Sequence, residues 1–370
     1  MEADLRVLIL TPDFPPAVGG IQTVLDRIIR HAKALEPRVV ALSHDESAGF
    51  DDTVDFRVRR VAAVPGGYRA TVAWLNITAL AEARQFRPDV ILSGHIVTSP
   101  SAAGIRRLLK VPFVQYLHGY EVTARPRLTS FAVRHADASI AVSRFTRDLA
   151  IDAGAAPDRV HVIPNGVDSQ DEPLEAERDP TPTVLTVGRL HRRYKGHDVM
   201  LRALPHVAAR VPDVRWVVVG DGSLRLELET LAARNGVGAR VLFTGQLSDA
   251  DRDAWFRRAQ VFAMPARTPP EGAGEGFGIV FLEANAHGLP VVAGGVGGAL
   301  DAVVAGETGV LVDPTDHVAV AEAIAGLLED PDRARRLGAA GAERARREFA
   351  WSSIAARVEA LLRSVAEKPR

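Results

Sequence analysis

EGFGIVFLEANAHGLPVVAGG, residues 275 to 295, combines three features that rarely share one stretch. It opens on glycines, runs through an apolar segment that starts a helix near Gly278, and ends in a short apolar run, Val291 to Ala293, closed by two more glycines. Apolar strand, glycine turn and helix start in close succession are the grammar of a parallel sheet wound with helices, whose strands are buried on both faces. Into this strip are set two carboxylates, Glu275 and Glu283, separated by seven residues. A carboxylate in apolar surroundings is costly unless a partner takes up its charge, and Gly276, Gly278, Gly294 and Gly295 leave bare backbone for a ligand to approach. The strip reads as the wall of a site for a polyhydroxylated, phosphate-bearing molecule. A plainer reading keeps Glu275 as an acid near a helix start and pairs Glu283 with a structural arginine.

The same grammar extends outward in both directions. In the first half, strands are predicted at Arg6 to Leu10, Arg38 to Leu42, Phe56 to Val61, Val90 to Leu92, Phe113 to Leu117, Ser139 to Val142 and Val160 to Ile163. In the second they are predicted at Thr183 to Val187, Arg215 to Val219, Val241 to Thr244, Val261 to Met264, Val291 to Ala293 and Val310 to Val312. Between the two sets, SQDEPLEAERDPTP, Ser169 to Pro182, has the acids and prolines of an exposed connector. The expected fold is therefore α/β, with two doubly wound Rossmann-like domains facing across a cleft: residues 1–168, a linker at 169–182, and residues 183–350. The segment from Trp351 onward is a good helix former with a large apolar anchor at its start.

Composition narrows the functions. The chain has 370 residues, room for two domains of about 100 to 200 residues each. Forty-five basic and forty-six acidic side chains leave a net charge of -1, so no overall field draws the protein to nucleic acid or an anionic bilayer. There is no cysteine, which excludes disulfides and thiolate metal sites and fits a cytoplasmic protein. The start, MEADLRVLILT, is too acidic and its apolar run too short for a signal peptide. No run approaches the ~18 apolar residues of a membrane span. Membrane contact is expected to be peripheral at most, at the inner face.

In open α/β sheets ligands bind beyond the carboxyl ends of the strands, and the unusual residue types gather there. After the first strand comes TPDFPPAVGGIQT, with Gly19 and Gly20 before a helix whose free N–H groups suit a phosphate or sugar. After the Phe113 run comes HGYE, with His118 and Glu121. After the Thr183 run come Gly188, Arg189 and Lys195; after the Arg215 run, Gly220-Asp221-Gly222; after the Val261 run, Pro265, Ala266 and Arg267, leading back to Glu275. Each has a structural alternative. Gly19 and Gly20 do not make a GxGxxG pattern, which argues against a nicotinamide cofactor. Arg189, Arg192, Arg193 and Lys195 could form a solvated face, His118 a polar strand end, and Asp221 a turn. Convergence of all of them on one cleft favours the binding reading.

Such a cleft suits the cleavage of a bond between a sugar carbon and a diphosphate. Negative charge collects on the phosphate oxygens and positive charge on the ring, and a catalyst must stabilise both. Arg189 offers a planar fork and Lys195 a point charge, while helix starts near Gly20 and Gly278 add dipoles. These cations would replace a metal ion; no HxxxH, DxD or clustered acid set calls for one. Glu283 would accept hydrogen bonds from ribose hydroxyls, Glu275 would grip the sugar, and His118 would orient a sugar hydroxyl.

At these residues the chain resembles the family 4 retaining glycosyltransferases of GT-B fold. The likeness spans nearly the whole length and is carried by DFPPAVGGIQT, HGYE, IPNGVD, VGRLHRRYKGH, VVGDG and PARTPPEGAGEGFGIVFLEANAHGLPVVAGGVGG. The resemblance implies that Arg189 and Lys195 hold the donor diphosphate, with Gly188 in the same turn. It also implies that Glu275 binds the transferred sugar, that Glu283 binds the ribose, and that Phe277, Gly278, Ile279 and Val280 offer backbone to sugar and phosphates. Gly20 would approach the donor and His118 lie near the sugar O6, with Asp13, Gln22 and Tyr120 on the acceptor side. The C-terminal helix, 351–370, would complete the N-terminal domain. Within the family, the PART, EGFGIVFLEA and HGYE stretches look most like actinobacterial GDP-mannose-dependent mannosyltransferases acting on phosphatidylinositol mannosides; Tyr120 departs from that pattern, standing where a second histidine is expected.

The resulting expectation is a retaining, metal-independent transferase. It moves a hexose, with mannose from GDP-mannose leading, to an acceptor hydroxyl of a sugar, lipid or glycan. The alternatives are a UDP-sugar donor carrying glucose or N-acetylglucosamine, a sugar-nucleotide epimerase, and a non-enzymatic sugar-binding protein. The arginine-bearing segment Phe56 to Val64 is a candidate for lipid headgroups or else a partly exposed strand.

Overall fold

The computed structural model describes residues 4–17, 19–168, 178–269, 272 and 274–368. The chain divides into two compact units, one of residues 1–166 with 351–370 and one of residues 167–350. Residues 169–177 of the segment read as a connector lie outside the described residues.

Unit 1 is built on seven parallel strands: β1 (Leu5–Leu10), β2 (Leu35–Leu42), β3 (Arg57–Val61), β4 (Val90–Ser93), β5 (Phe113–Leu117), β6 (Ala138–Ala141) and β7 (Val160–Val162). Their order is β3-β2-β1-β4-β5-β6-β7. The central strands are buried throughout, β4 through β6 without a single exposed residue, because helices cover both faces. The chain reverses its direction of winding between β1 and β4, which pair through Val7↔Val90 to Leu10↔Ser93. The loops after those two strands therefore flank the crevice where ligands bind in such sheets.

The last helix, Trp351–Ala366, belongs to this unit. It buries Trp351, Ile354, Val358 and Leu362, and its Glu359 carboxylate accepts the backbone N–H groups of Lys33 and Ala34 at 3.1 and 3.3 Å. Trp351 lies so close to Gly166 that a Cβ there would come within 2.5 Å of the indole.

Strand β3 bears out the partly exposed strand expected at Phe56 to Val64. Arg57 and Arg59 face outward, but Arg60 points inward. Its guanidinium takes both carboxylate oxygens of Asp51, the carbonyls of Leu42 and Pro15, and the faces of Phe14 and Phe50. Period-two alternation on an edge strand splits the arginine run between solvent and interior.

Unit 2 holds six parallel strands: β8 (Thr183–Val187), β9 (Arg215–Val219), β10 (Val241–Gly245), β11 (Val261–Met264), β12 (Val291–Gly294) and β13 (Gly309–Val312), ordered β10-β9-β8-β11-β12-β13. Its core gathers Trp216, Val218, Val184, Val261 and Val292 from the sheet with Met200, Leu204 and Ile324 from the helices. Winding reverses between β8 and β11.

Arg178 to Pro182 are tied into unit 2 rather than standing free as a connector. The Arg178 guanidinium donates to the carbonyls of Phe256, Arg257 and Ala259 through Nη1, and to those of His287 and Gly288 through Nη2. Asp179 meets Arg215 and Arg258. A fork of five donors can satisfy carbonyls that two helix ends leave open. Among the described residues no helix is long and apolar enough to cross a membrane.

Candidate active site

In unit 2 the loops after β8 and β11 meet. The β8 loop carries Gly188, Arg189 and the turn Arg193–Lys195; the β11 loop carries Pro265 to Glu275. Lys195 Nζ donates to Glu275 Oε2 at 3.1 Å, with both side chains less than a fifth exposed. Burial works to lower the Lys195 pKa, but the Glu275 charge beside it, the Tyr194 phenol and the hydrogen bond together more than offset this, and the net shift is upward. The ammonium is thus held charged inside the fold. Its stem runs past Gly188, where a Cβ would sit 3.3 Å from Lys195 Cδ.

Glycines are required here by close backbone approaches. Gly220, at φ 135°, passes the Gly188 carbonyl so closely that a Cβ would be 2.2 Å from the oxygen. Gly298 donates its N–H to the Glu275 carbonyl at 2.9 Å, and a Cβ on it would meet the Gly276 carbonyl at 2.1 Å. Gly294 corrects one expectation: its bare backbone accommodates the Ala266 carbonyl, 2.1 Å from a would-be Cβ, and is taken up by packing of the protein on itself.

The helix Ile279–Ala286 starts at Gly278, whose φ of 89° suits only glycine without strain. Its first-turn N–H groups have no partner within the helix, and they belong to Ile279 and Val280; the Phe277 side chain is buried. Glu283 lies one turn along. Burial raises its carboxyl pKa, while Arg252, 3.9 Å away, pulls the other way. The arginine pairing foreseen as the plainer reading therefore exists, but at ion-pair distance only. Arg189 is exposed and makes no hydrogen bond or ion pair among the described residues. The rest of the basic run divides: Arg193 is in an exposed pair with Glu227. Asp221 takes the turn role, accepting the Gly222 N–H at 2.7 Å and pairing with Arg225.

In unit 1, Asp13, Gln22, His118 and Tyr120 fall at the β1 and β5 edges. Gln22 Nε2 donates to Asp13 Oδ1 at 3.4 Å. Gly20 is the first residue of the helix Gly20–His31. His118 stacks on Tyr116 at 4.7 Å, and its Nε2–H donates to the Gly94 carbonyl at 2.9 Å, leaving Nδ1 for another partner. Its backbone N–H donates to the buried Glu121 carboxylate. Tyr120 is 40% exposed at the start of a short helix.

Sequence reasoning missed His95. It follows β4, the other strand at the reversal, and sits where the charges of Glu121, Asp13, His118 and Arg125 all act on it. Burial lowers its pKa against the two carboxylates, and its Nδ1 accepts the Val97 N–H at 3.1 Å. A neutral imidazole at the carboxyl edge could have been found from its position after an apolar run, although SGHIV has no motif. Tyr68, its phenol pKa raised by burial and then by Asp13, belongs to the same neighbourhood.

Both units are parallel doubly wound sheets with charged groups at their carboxyl edges. Residues 18–171 match the model described as Glycosyltransferase Family 4, and residues 169–344 match Glycosyl transferases group 1. The chain is 34% identical over 397 residues to the GDP-mannose-dependent alpha-(1-6)-phosphatidylinositol monomannoside mannosyltransferase of Mycolicibacterium smegmatis, across 96% of this chain and 98% of the relative. It is 28% identical to the glycogen synthase of Mycobacterium tuberculosis, across 95% and 92%. Among solved structures, Anabaena Alr3699/HepE in complex with UDP and glucose matches with a TM-score of 0.81 at 23% identity, over 97% of this chain and 100% of that one. The chain belongs to the family 4, group 1 glycosyltransferases. It is an enzyme that transfers sugar, and the epimerase and binding-protein alternatives fall away.

Proposed function

We propose that the protein is a retaining mannosyltransferase that moves mannose from GDP-mannose to a hydroxyl of a phosphatidylinositol mannoside or related glycan, without a metal ion. The observation that carries this reading is the half-buried contact of Lys195 with Glu275. A fixed cation next to a fixed anion matches the two ends of the bond being broken: the ammonium faces the departing diphosphate, and the carboxylate holds the sugar as its ring becomes positive. Arg189 adds a fork to the diphosphate. The first-turn amides of the helix beginning at Ile279, with Phe277 and Gly278, bind phosphate and sugar oxygens. Glu283 accepts the ribose hydroxyls. In unit 1, His118 binds a sugar hydroxyl and Gly20 the donor, while Asp13, Gln22 and Tyr120 serve the acceptor. Support for mannose and GDP comes from the mycobacterial relative.

A second reading, another hexose on a UDP carrier, is kept because one relative is a glycogen synthase rather than a mannosyltransferase. Turnover with GDP-mannose, UDP-glucose and UDP-N-acetylglucosamine, each with a phosphatidylinositol mannoside acceptor, separates the two. Fastest release of GDP, with a mannosylated lipid as product, is expected. Release of UDP with a glucosylated product, and none of GDP, overturns the donor assignment.

A further inference from the structure

We propose that Arg267 and Asp198 are positioning residues, a hydrogen-bonded ion pair that pins the loop bearing Glu275 to the turn bearing Lys195 and so sets the spacing of those two groups. The inference rests on the donor roles of Lys195 and Glu275 proposed above, and it names what holds them in register.

Arg267 lies just past β11, and Asp198 lies in the first turn of the helix His197–Arg210 that follows Lys195. The guanidinium donates one hydrogen bond, Nη2 to Oδ2 at 3.2 Å, and its Nη1 lies 3.0 Å from Oδ1, at ion-pair distance but without hydrogen-bond geometry. A hydrogen bond between two charged groups is stronger than one between neutral groups. The two side chains are 23% and 18% exposed, so solvent screens them less than it does the surface pairs of the same helix. Arg202 joins from the next turn, Nη2 to Asp198 Oδ2 at 2.8 Å, which keeps the carboxylate oriented.

Two backbone contacts lie alongside. Arg267 donates its N–H to the Tyr194 carbonyl at 2.7 Å, one residue before Lys195. Gly196, at φ 80°, leaves room for the Pro265 carbonyl, which a Cβ would approach to 2.2 Å. The residues on both sides of Lys195 are thus pressed against Pro265 to Arg267, and the ion pair closes the contact. Neither Arg267 nor Asp198 touches Lys195 or Glu275 by any hydrogen bond or ion pair among the described residues. Their effect must pass through the loop and the turn. A displacement of about 1 Å in a catalytic group can cost on the order of 100-fold in rate.

The test uses the full chain with GDP-mannose and acceptor. The variants are Asp198→Asn, Arg267→Gln, Arg267→Lys, Lys195→Ala, and Lys195→Ala combined with Asp198→Asn. Measured for each are kcat, GDP affinity by calorimetry, and the thermal midpoint. Asp198→Asn and Arg267→Gln are expected to lower kcat by about 10- to 100-fold with GDP affinity largely retained, since Glu283 holds the ribose and the helix start the phosphates. Arg267→Lys, which keeps the charge but cannot hold one nitrogen on Oδ2 and a second beside Oδ1, is expected to recover only part of the rate. Asp198→Asn is expected to cost much less once Lys195 is gone, because most of its effect passes through the placing of Lys195 against Glu275. Near-normal kcat in the Asp198 and Arg267 variants, or a full additional loss on top of Lys195→Ala, overturns the inference. If Asp198→Asn does not fold, a full rate in Arg267→Lys overturns it equally. Normal turnover in Lys195→Ala overturns instead the reading on which it rests.

Discussion

Lys195 Nζ and Glu275 Oε2 stand 3.1 Å apart although 80 positions separate the residues in the chain. One follows β8 and the other follows β11, the two strands between which the winding of unit 2 reverses. The sheet topology, rather than local sequence, makes them neighbours.

Because each of the two cations is assigned to the departing diphosphate, Lys195→Ala and Arg189→Ala are each expected to lower kcat by about 100-fold or more, the scale of losing one preorganised charge-stabilising group. Steady-state rates with saturating donor check this. Activity is also expected to survive excess EDTA, and loss reversed by Mg²⁺ would assign the charge to a metal.

The charge state of Lys195 depends on Glu275. Burial alone lowers an ammonium pKa, and the carboxylate reverses that effect. In Glu275→Gln the reversal is lost, so Lys195 sheds its proton at lower pH. The alkaline limb of the residual kcat/KM is expected to move toward neutral pH relative to the native enzyme. An unmoved limb would show that Lys195 is not the group titrating there.

In the ribose role proposed for Glu283, the ionised carboxylate, which accepts at both oxygens, is the better binding form. Burial raises its pKa, with Arg252 opposing. Nucleoside diphosphate binding is therefore present above that raised pKa and fades as pH falls through it, earlier than for an ordinary carboxylate. Glu283→Gln is expected to weaken GDP binding and to flatten this acid dependence; calorimetry across the pH range checks both.

Gly220→Ala tests the close approach of the β8 and β9 loops. The new methyl would overlap the Gly188 carbonyl, a backbone atom, at a φ of 135° that alanine avoids. A stability loss of about 1 to 3 kcal/mol is expected, with a lower thermal midpoint and reduced donor affinity. An unchanged midpoint would show that the loops can part freely.

Much of this was legible in the sequence because parallel strands covered on both faces must be apolar throughout. LRVLIL, VFAM and RWVVV have almost no other reading. Placing chemistry past the strand ends put Lys195 and Glu275 in one cleft, but their direct contact is seen only in the fold. What stayed hidden depends on tertiary pairing that no spacing encodes. Arg178 sits among acids and prolines that suggest solvent, yet its partners are carbonyls 78 to 110 residues away. Arg60 reads as one of three similar arginines, and only the phase of an edge strand turns it inward. Asp198 and Arg267 are ordinary residues until the fold brings them together, and His95 belongs to no motif.

The most direct measurement of the central claim is a crystal structure of the protein soaked with GDP-mannose. The account predicts diphosphate oxygens within hydrogen-bonding distance of Lys195 Nζ and the Arg189 guanidinium, with the mannose hydroxyls on Glu275. A nucleotide bound elsewhere, with the Lys195 to Glu275 contact untouched, would contradict it.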